Sequence, residues 1–130
     1  MVAYGVIGLG WPFAPMHLRG AEFTLTDTMH IVFSMVTVFL MLLAIGFGAT
    51  AFGKRFRLYS IATMVILAAF GALTVPDASR IQANLPTPWV GVWERINIGV
   101  FLLWVVVLAV TLLRVRDTAA VTGRQGALAA

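Results

Sequence analysis

Three long, mainly apolar stretches, at about residues 28–52, 58–75 and 92–113, constrain this chain more than anything else in it. A hydrocarbon core of ~30 Å takes ~20 residues of helix at 1.5 Å rise per residue, and each stretch approaches or passes that length. Lipid offers the backbone no hydrogen-bond partners, so each has to be a helix. Composition agrees: 61% of the 130 residues are hydrophobic and 11% charged, against about 25% charged in an ordinary soluble domain. The expected fold class is all-α, an integral membrane helical bundle with three full transmembrane helices plus a partial or short N-terminal helix.

That N-terminal piece, about residues 2–11, is apolar but too short to span, and Trp11, Pro12 and Pro15 end it. A cleaved signal peptide fits it poorly, because no basic residue precedes the apolar run and no small-x-small pattern precedes Trp11. It reads as the second half of a helix whose beginning lies upstream. Residues 1–113 are expected to form a single transmembrane domain. The polar remainder, 114–130, holds Gly123 and Gly126 and is expected to be a flexible cytoplasmic tail.

Charge sets an orientation. Lys54, Arg55 and Arg57 fall between the first two spans, and Arg114, Arg116 and Arg124 follow the last, so the positive-inside rule puts both clusters in the cytoplasm. With Asp117 that side carries +5. The opposite side carries Arg19, Arg80 and Arg95 against Glu22, Asp27, Asp77 and Glu94, or −1, which completes the net +4. The basic balance is therefore a membrane signature and implies no nucleic-acid partner. The loops around His17 and Asp77 are expected outside.

Nearly every group capable of chemistry collects at that outer end. Asp27 is placed to cap the first full span, and Asp27, His30, Ser34 and Thr37 follow one another down one helix face. Glu94 and Asn97 lie on one side of the last span, with Arg95 about 100° round from them. An acid in the first turn of a spanning helix needs a partner, and Arg95, Arg80, Arg19 or His30 could serve. Small residues recur at four-residue spacing, as at Ala44 and Gly48, and favour close helix contact.

Several chemistries are weakened by the same residues. The chain lacks cysteine, which removes disulfides and thiolate sites. No His pair has the i, i+4 spacing of a helical zinc motif, so neither a metal nor a cofactor is expected. A Ser34–His30–Asp27 triad fails because Ser34 lies more than a turn below the acid on the same helix. Ion conduction needs polar groups at mid-membrane, where these spans offer little beyond Thr37 and Thr63. Acid/base chemistry by His30, Glu94 and Asp27 is the most coherent catalytic set.

Four separated motifs carry a family resemblance: Phe13-x-Pro15-Met16-His17-x-Arg19-Gly20, Thr26-Asp27-x-Met29-His30, Ala44-Ile45-Gly46-Phe47-Gly48 through Tyr59-Ser60, and Trp93-Glu94-Arg95-Ile96-Asn97-Ile98-Gly99. In this order they resemble the bacterial multi-pass membrane proteins grouped as domain of unknown function 998, over about residues 3–113. The resemblance implies a membrane bundle with further helices upstream, and implies no reaction. The functional expectation is a protein that binds a membrane lipid or membrane partner through its outer polar cluster. His17, Arg19, Arg95, Asp77, Arg80 and Asn97 are the ligand-binding candidates. An enzyme acting on a lipid or isoprenoid is the alternative, and a transporter or channel the least favoured. Exposed helix faces predict a homo-oligomer or association with another membrane subunit.

Overall fold

The computed structural model describes residues 1–18 and 20–128, with side-chain surroundings described through Thr118. A short helix α1 (Val2–Gly8) and a 3-10 turn (Trp11–Phe13) lead by an irregular segment into three long helices, α2 (Leu25–Ala51), α3 (Lys54–Gln82) and α4 (Val90–Leu128). The described residues are helical or loop, with three helices long and apolar enough to cross a membrane: Leu25–Ala51, Lys54–Gln82 and Val90–Thr118. The expected all-α bundle with a short leading helix is therefore the observed one.

Helix boundaries depart from the apolar stretches, because apolarity marks where lipid lies and local hydrogen bonding marks where a helix stops. α2 starts at Leu25 because Thr24 and Asp27 form a reciprocal capping box. Asp27 is thus the third helical residue and not the cap. α3 runs on through Pro76 to Gln82, so Asp77 and Arg80 lie on its last turns and not in a loop. A proline forfeits one backbone bond and crowds the preceding turn. The hydroxyls of Thr74 and Ser79 donate back to the carbonyls of Gly71 and Pro76, at 2.7 and 3.1 Å, in the turns on either side of it. The helix ends instead at Asn84, which takes the left-handed conformation at φ 56°. The Asn84 amide donates to Ile81 O at 3.1 Å and the Leu85 amide to Arg80 O at 2.8 Å, the two bonds of a Schellman ending. α4 likewise continues past Leu113 to Leu128 as helix.

α2 and α3 form a tight antiparallel hairpin joined by Phe52 and Gly53. α4 packs on α3, and all three long helices meet at Trp104. Its indole N–H donates to Ser60 Oγ at 2.9 Å, with both residues fully buried. Phe56 and Phe101 lie 6.0 and 6.2 Å from its ring. On α2, Gly48 leaves room for the ring: a Cβ there would sit 2.7 Å from Trp104 Cζ2. Met41, Ile45 and Leu67 complete this core. α1 lies against α2 and reaches α4, where the Tyr4 ring packs at a tilt on Phe101, with centroids 5.0 Å apart.

The hairpin and α4 are not level. Phe70 of α3 packs against Trp93 near the start of α4, with ring centroids 5.6 Å apart. Phe70 lies twelve residues before the end of α3, so α4 begins roughly 15 Å closer to the Lys54 end of the bundle than α3 finishes. The link through Pro86 and Pro88 runs back down alongside.

Candidate functional site

The polar groups at the Asp27 end are organised by the segment from Ala14 to Thr24, which folds as a cap over the start of α2. Asp27 is its anchor, with 3% of its surface exposed. Its Oδ1 accepts from the His17 amide at 2.8 Å. Its Oδ2 accepts from the amide and the hydroxyl of Thr24, each at 2.8 Å, and lies 3.1 Å from His17 Nδ1. Backbone amides and a hydroxyl aimed at one carboxylate favour its ionised form, and the N-terminal end of α2 adds the positive pole of the helix dipole. The His17 side chain remains 48% exposed above it.

His30 holds the other end of the cap. Its Nδ1 lies 2.8 Å from the carbonyl of buried Ala14, so that nitrogen carries the proton and donates. The ring meets Trp11 edge-on at 4.9 Å. Trp11 in turn meets Phe33, and Gly10 comes close enough that a Cβ would fall 2.8 Å from the Phe33 ring. A third tie crosses to α3: the Gly20 amide donates to Asn84 Oδ1 at 3.2 Å. Gly20 itself needs a positive φ, 94°, which suits glycine there.

Between the cap and the end of α3 is a small open pocket of about 30 Å³, lined by residues that include His17, Glu22, Asp27, Gln82 and Asn84. A cavity measured in this way needs about 10–15 Å³ to hold one water molecule. It has room for a single polar group, not for an acyl chain.

The sequence candidates separate into two tiers. His17 and Asp27 come together at the pocket, and Asp77 and Arg80 lie on the last turns of α3 nearby in sequence, half-buried and exposed respectively. Arg19 falls outside the described residues. Glu94, Arg95 and Asn97 are lower. Trp104 lies beside Gly48, which places Glu94, ten residues earlier on α4, about level with Val38 and roughly 10 Å below His30. His30 and Glu94 are thus on different levels, and neither lines the pocket. Arg95 is exposed and donates from Nη1 to Gly91 O at 2.8 Å, while Asn97 is buried with its Oδ1 unpartnered. Ser34 bonds back to His30 O at 2.9 Å, the self-satisfying habit of helical serines. Among the described residues no group of three His, Asp or Glu converges as a metal cage would require.

A family-model match that runs from residue 1 to residue 111 decides the family. The chain belongs to the DUF998 family of proteins of unknown function. Its model matches residues 1–111, the whole of the cap, the hairpin and the first 22 residues of α4. No curated protein and no solved structure matches the chain. The DUF998 match thus takes in both the His17–Asp27 pocket and the Glu94 tier.

Two residues that matter were missed in the sequence. Thr24 was legible, because Thr24-x-x-Asp27 is the spacing of a capping box. Asn84 had a weaker signal, an asparagine just before Leu85-Pro86 that suits a left-handed helix end.

Proposed function

We propose that this DUF998 member is a bacterial inner-membrane protein whose cap faces outward and binds the terminal polar group of a membrane lipid headgroup. The Lys54 turn and the C-terminus then lie in the cytoplasm, as the basic residues on that side favour. The observation that carries the reading is the half-exposed His17 imidazole, set by buried Asp27 at the rim of a pocket lined also by Glu22, Gln82 and Asn84. A pocket of about 30 Å³ admits an ammonium or hydroxyl group. The acyl chains would lie along the exposed apolar sides of α2 and α3, which include Val32, Phe39 and Leu73.

Lipids retained by the protein after extraction in mild detergent, identified by mass spectrometry, test this. One headgroup class should be enriched over the bulk membrane, and His17→Ala combined with Asn84→Ala should abolish the enrichment. A retained profile identical to the bulk membrane in both proteins would overturn it. Because the chain lacks cysteine, Glu22→Cys and Lys54→Cys also report sidedness by labelling with an impermeant thiol reagent from one side at a time.

A further inference from the structure

Glu94 and Arg95 occupy a level where charge is hard to keep. Their neighbour Trp93 packs on Phe70, inside the apolar stretch of α3 and roughly 9 Å below Pro76. α2 at the corresponding level, around Val38, is apolar too. Both charged side chains are nevertheless exposed on the side of the bundle. Arg95 partly relieves itself by reaching back towards the cap end, to Gly91 O. Glu94 has a shorter arm, and the ion pair among the described residues is His17–Asp27, not one of its own. An ionisable group at hydrocarbon depth calls for a partner.

Helix geometry identifies one. Successive residues project about 100° apart, so Glu94 and Arg95 flank a line that runs down α4 through Gly91, Ile98, Leu102 and Ala109. Ile98 and Leu102 are 46% and 51% exposed. When two α4 helices pack side by side about a two-fold axis parallel to them, the left flank of one meets the right flank of the other at the same height. Glu94 then faces the partner's Arg95 on one side of the seam, and Arg95 faces the partner's Glu94 on the other. The patch is complementary to itself, as a two-fold interface requires.

We propose that this face of α4 is a self-association surface, on which two copies of the chain pair through Ile98 and Leu102 and are locked by two reciprocal Glu94–Arg95 ion pairs. The surface is independent of the cap pocket, so either can fail alone. It also gives a charged pair at this depth the compensation that lipid cannot.

The cysteine-free chain makes the test direct. Ile98→Cys lies on the seam, and Leu103→Cys is somewhat more exposed, 57% against 46%, but about 140° round the helix. After oxidation in native membranes, before detergent, Ile98→Cys should give about fivefold more disulfide-linked dimer than Leu103→Cys. Adding Glu94→Arg or Arg95→Glu should remove most of that excess by like-charge repulsion, and Glu94→Arg with Arg95→Glu together should restore it. If a single-charge variant fails to accumulate in the membrane, Glu94→Gln takes its place and should lower the dimer fraction likewise. Equal cross-linking at Ile98 and Leu103, as expected when lipid alone covers this face, would overturn the proposal. So would a double swap that cross-links no better than either single change.

Discussion

The cap around Asp27 and the core around Trp104 hold the same bundle together by opposite means. The cap is polar and mostly local in sequence: Thr24 and His17 reach Asp27 across three and ten residues, and the His30 bond to Ala14 spans sixteen. The Trp104 core is built from distant residues, with Ser60 forty-four positions away and Gly48 on a third helix. In lipid, apolar burial between helices contributes little, because the tails are as apolar as the side chains, so fit and the few polar bonds decide. The core is therefore the joint that fixes how three helices sit, while the cap is a fitting on the end of α2 with a single exposed bond across to the end of α3.

The sharpest way to break that contrast is to empty the core. Trp104→Ala removes the ring that touches both other long helices and leaves a cavity. We expect a loss of about 3 kcal/mol, at the lower end for large aromatic truncations because lipid already solvates apolar groups well. Reversible unfolding in mixed micelles should show it as a lowered transition for the whole bundle. A Trp104→Ala protein as stable as the parent would mean that the helices are positioned elsewhere.

Adding one methyl group should do nearly as much. Gly48→Ala places a Cβ 2.7 Å from Trp104 Cζ2, a distance that forces the ring or the helix to move. Overpacking of this kind costs about 1–3 kcal/mol. Gly46, two residues earlier, has nothing within 4 Å of a Cβ, so Gly46→Ala is the matched control and should be neutral by the same unfolding measurement. Similar losses at both positions would turn a packing effect into one of glycine flexibility.

How far these features could be read from the sequence follows the same division. The number of spans was legible because it depends only on the length of apolar runs. The cap was partly legible because its groups are neighbours: Asp27 and His30 stood out by spacing and His17 by the motif Phe13-x-Pro15-Met16-His17, while of the core only Gly48 stood out, by its interval from Ala44. The Trp104 joint was not, since nothing local marks Ser60 as its partner, although a tryptophan in mid-span, far from the headgroup level where tryptophans gather, was a clue. The height of α4 was least legible of all. Composition assigns Glu94 to the beginning of a span, but the packing of Phe70 on Trp93 and of Gly48 on Trp104 lowers that beginning well below the cap. A cluster that looks single along the sequence becomes two tiers in space.

The smallest effect should fall at the cap, and its smallness is what distinguishes the two regions. Asp27→Asn keeps the shape of the side chain but puts an amide among the donors of His17 and Thr24, so at least one of those donors loses its acceptor. Capping losses are about 1 kcal/mol, and here they bear first on the segment from Ala14 to Thr24, which has its own ties to His30 and Asn84. Hydrogen exchange should therefore quicken at the amides of His17 and Thr24 while the midpoint of bundle unfolding barely moves. The paired substitution His17→Ala should loosen the side-chain contact yet leave the backbone bond to Asp27 in place, and so quicken exchange less. If Asp27→Asn instead lowers the unfolding midpoint as far as Trp104→Ala does, the cap is no mere fitting, and the buried carboxylate has to be counted with the indole among the groups that set the helices in place.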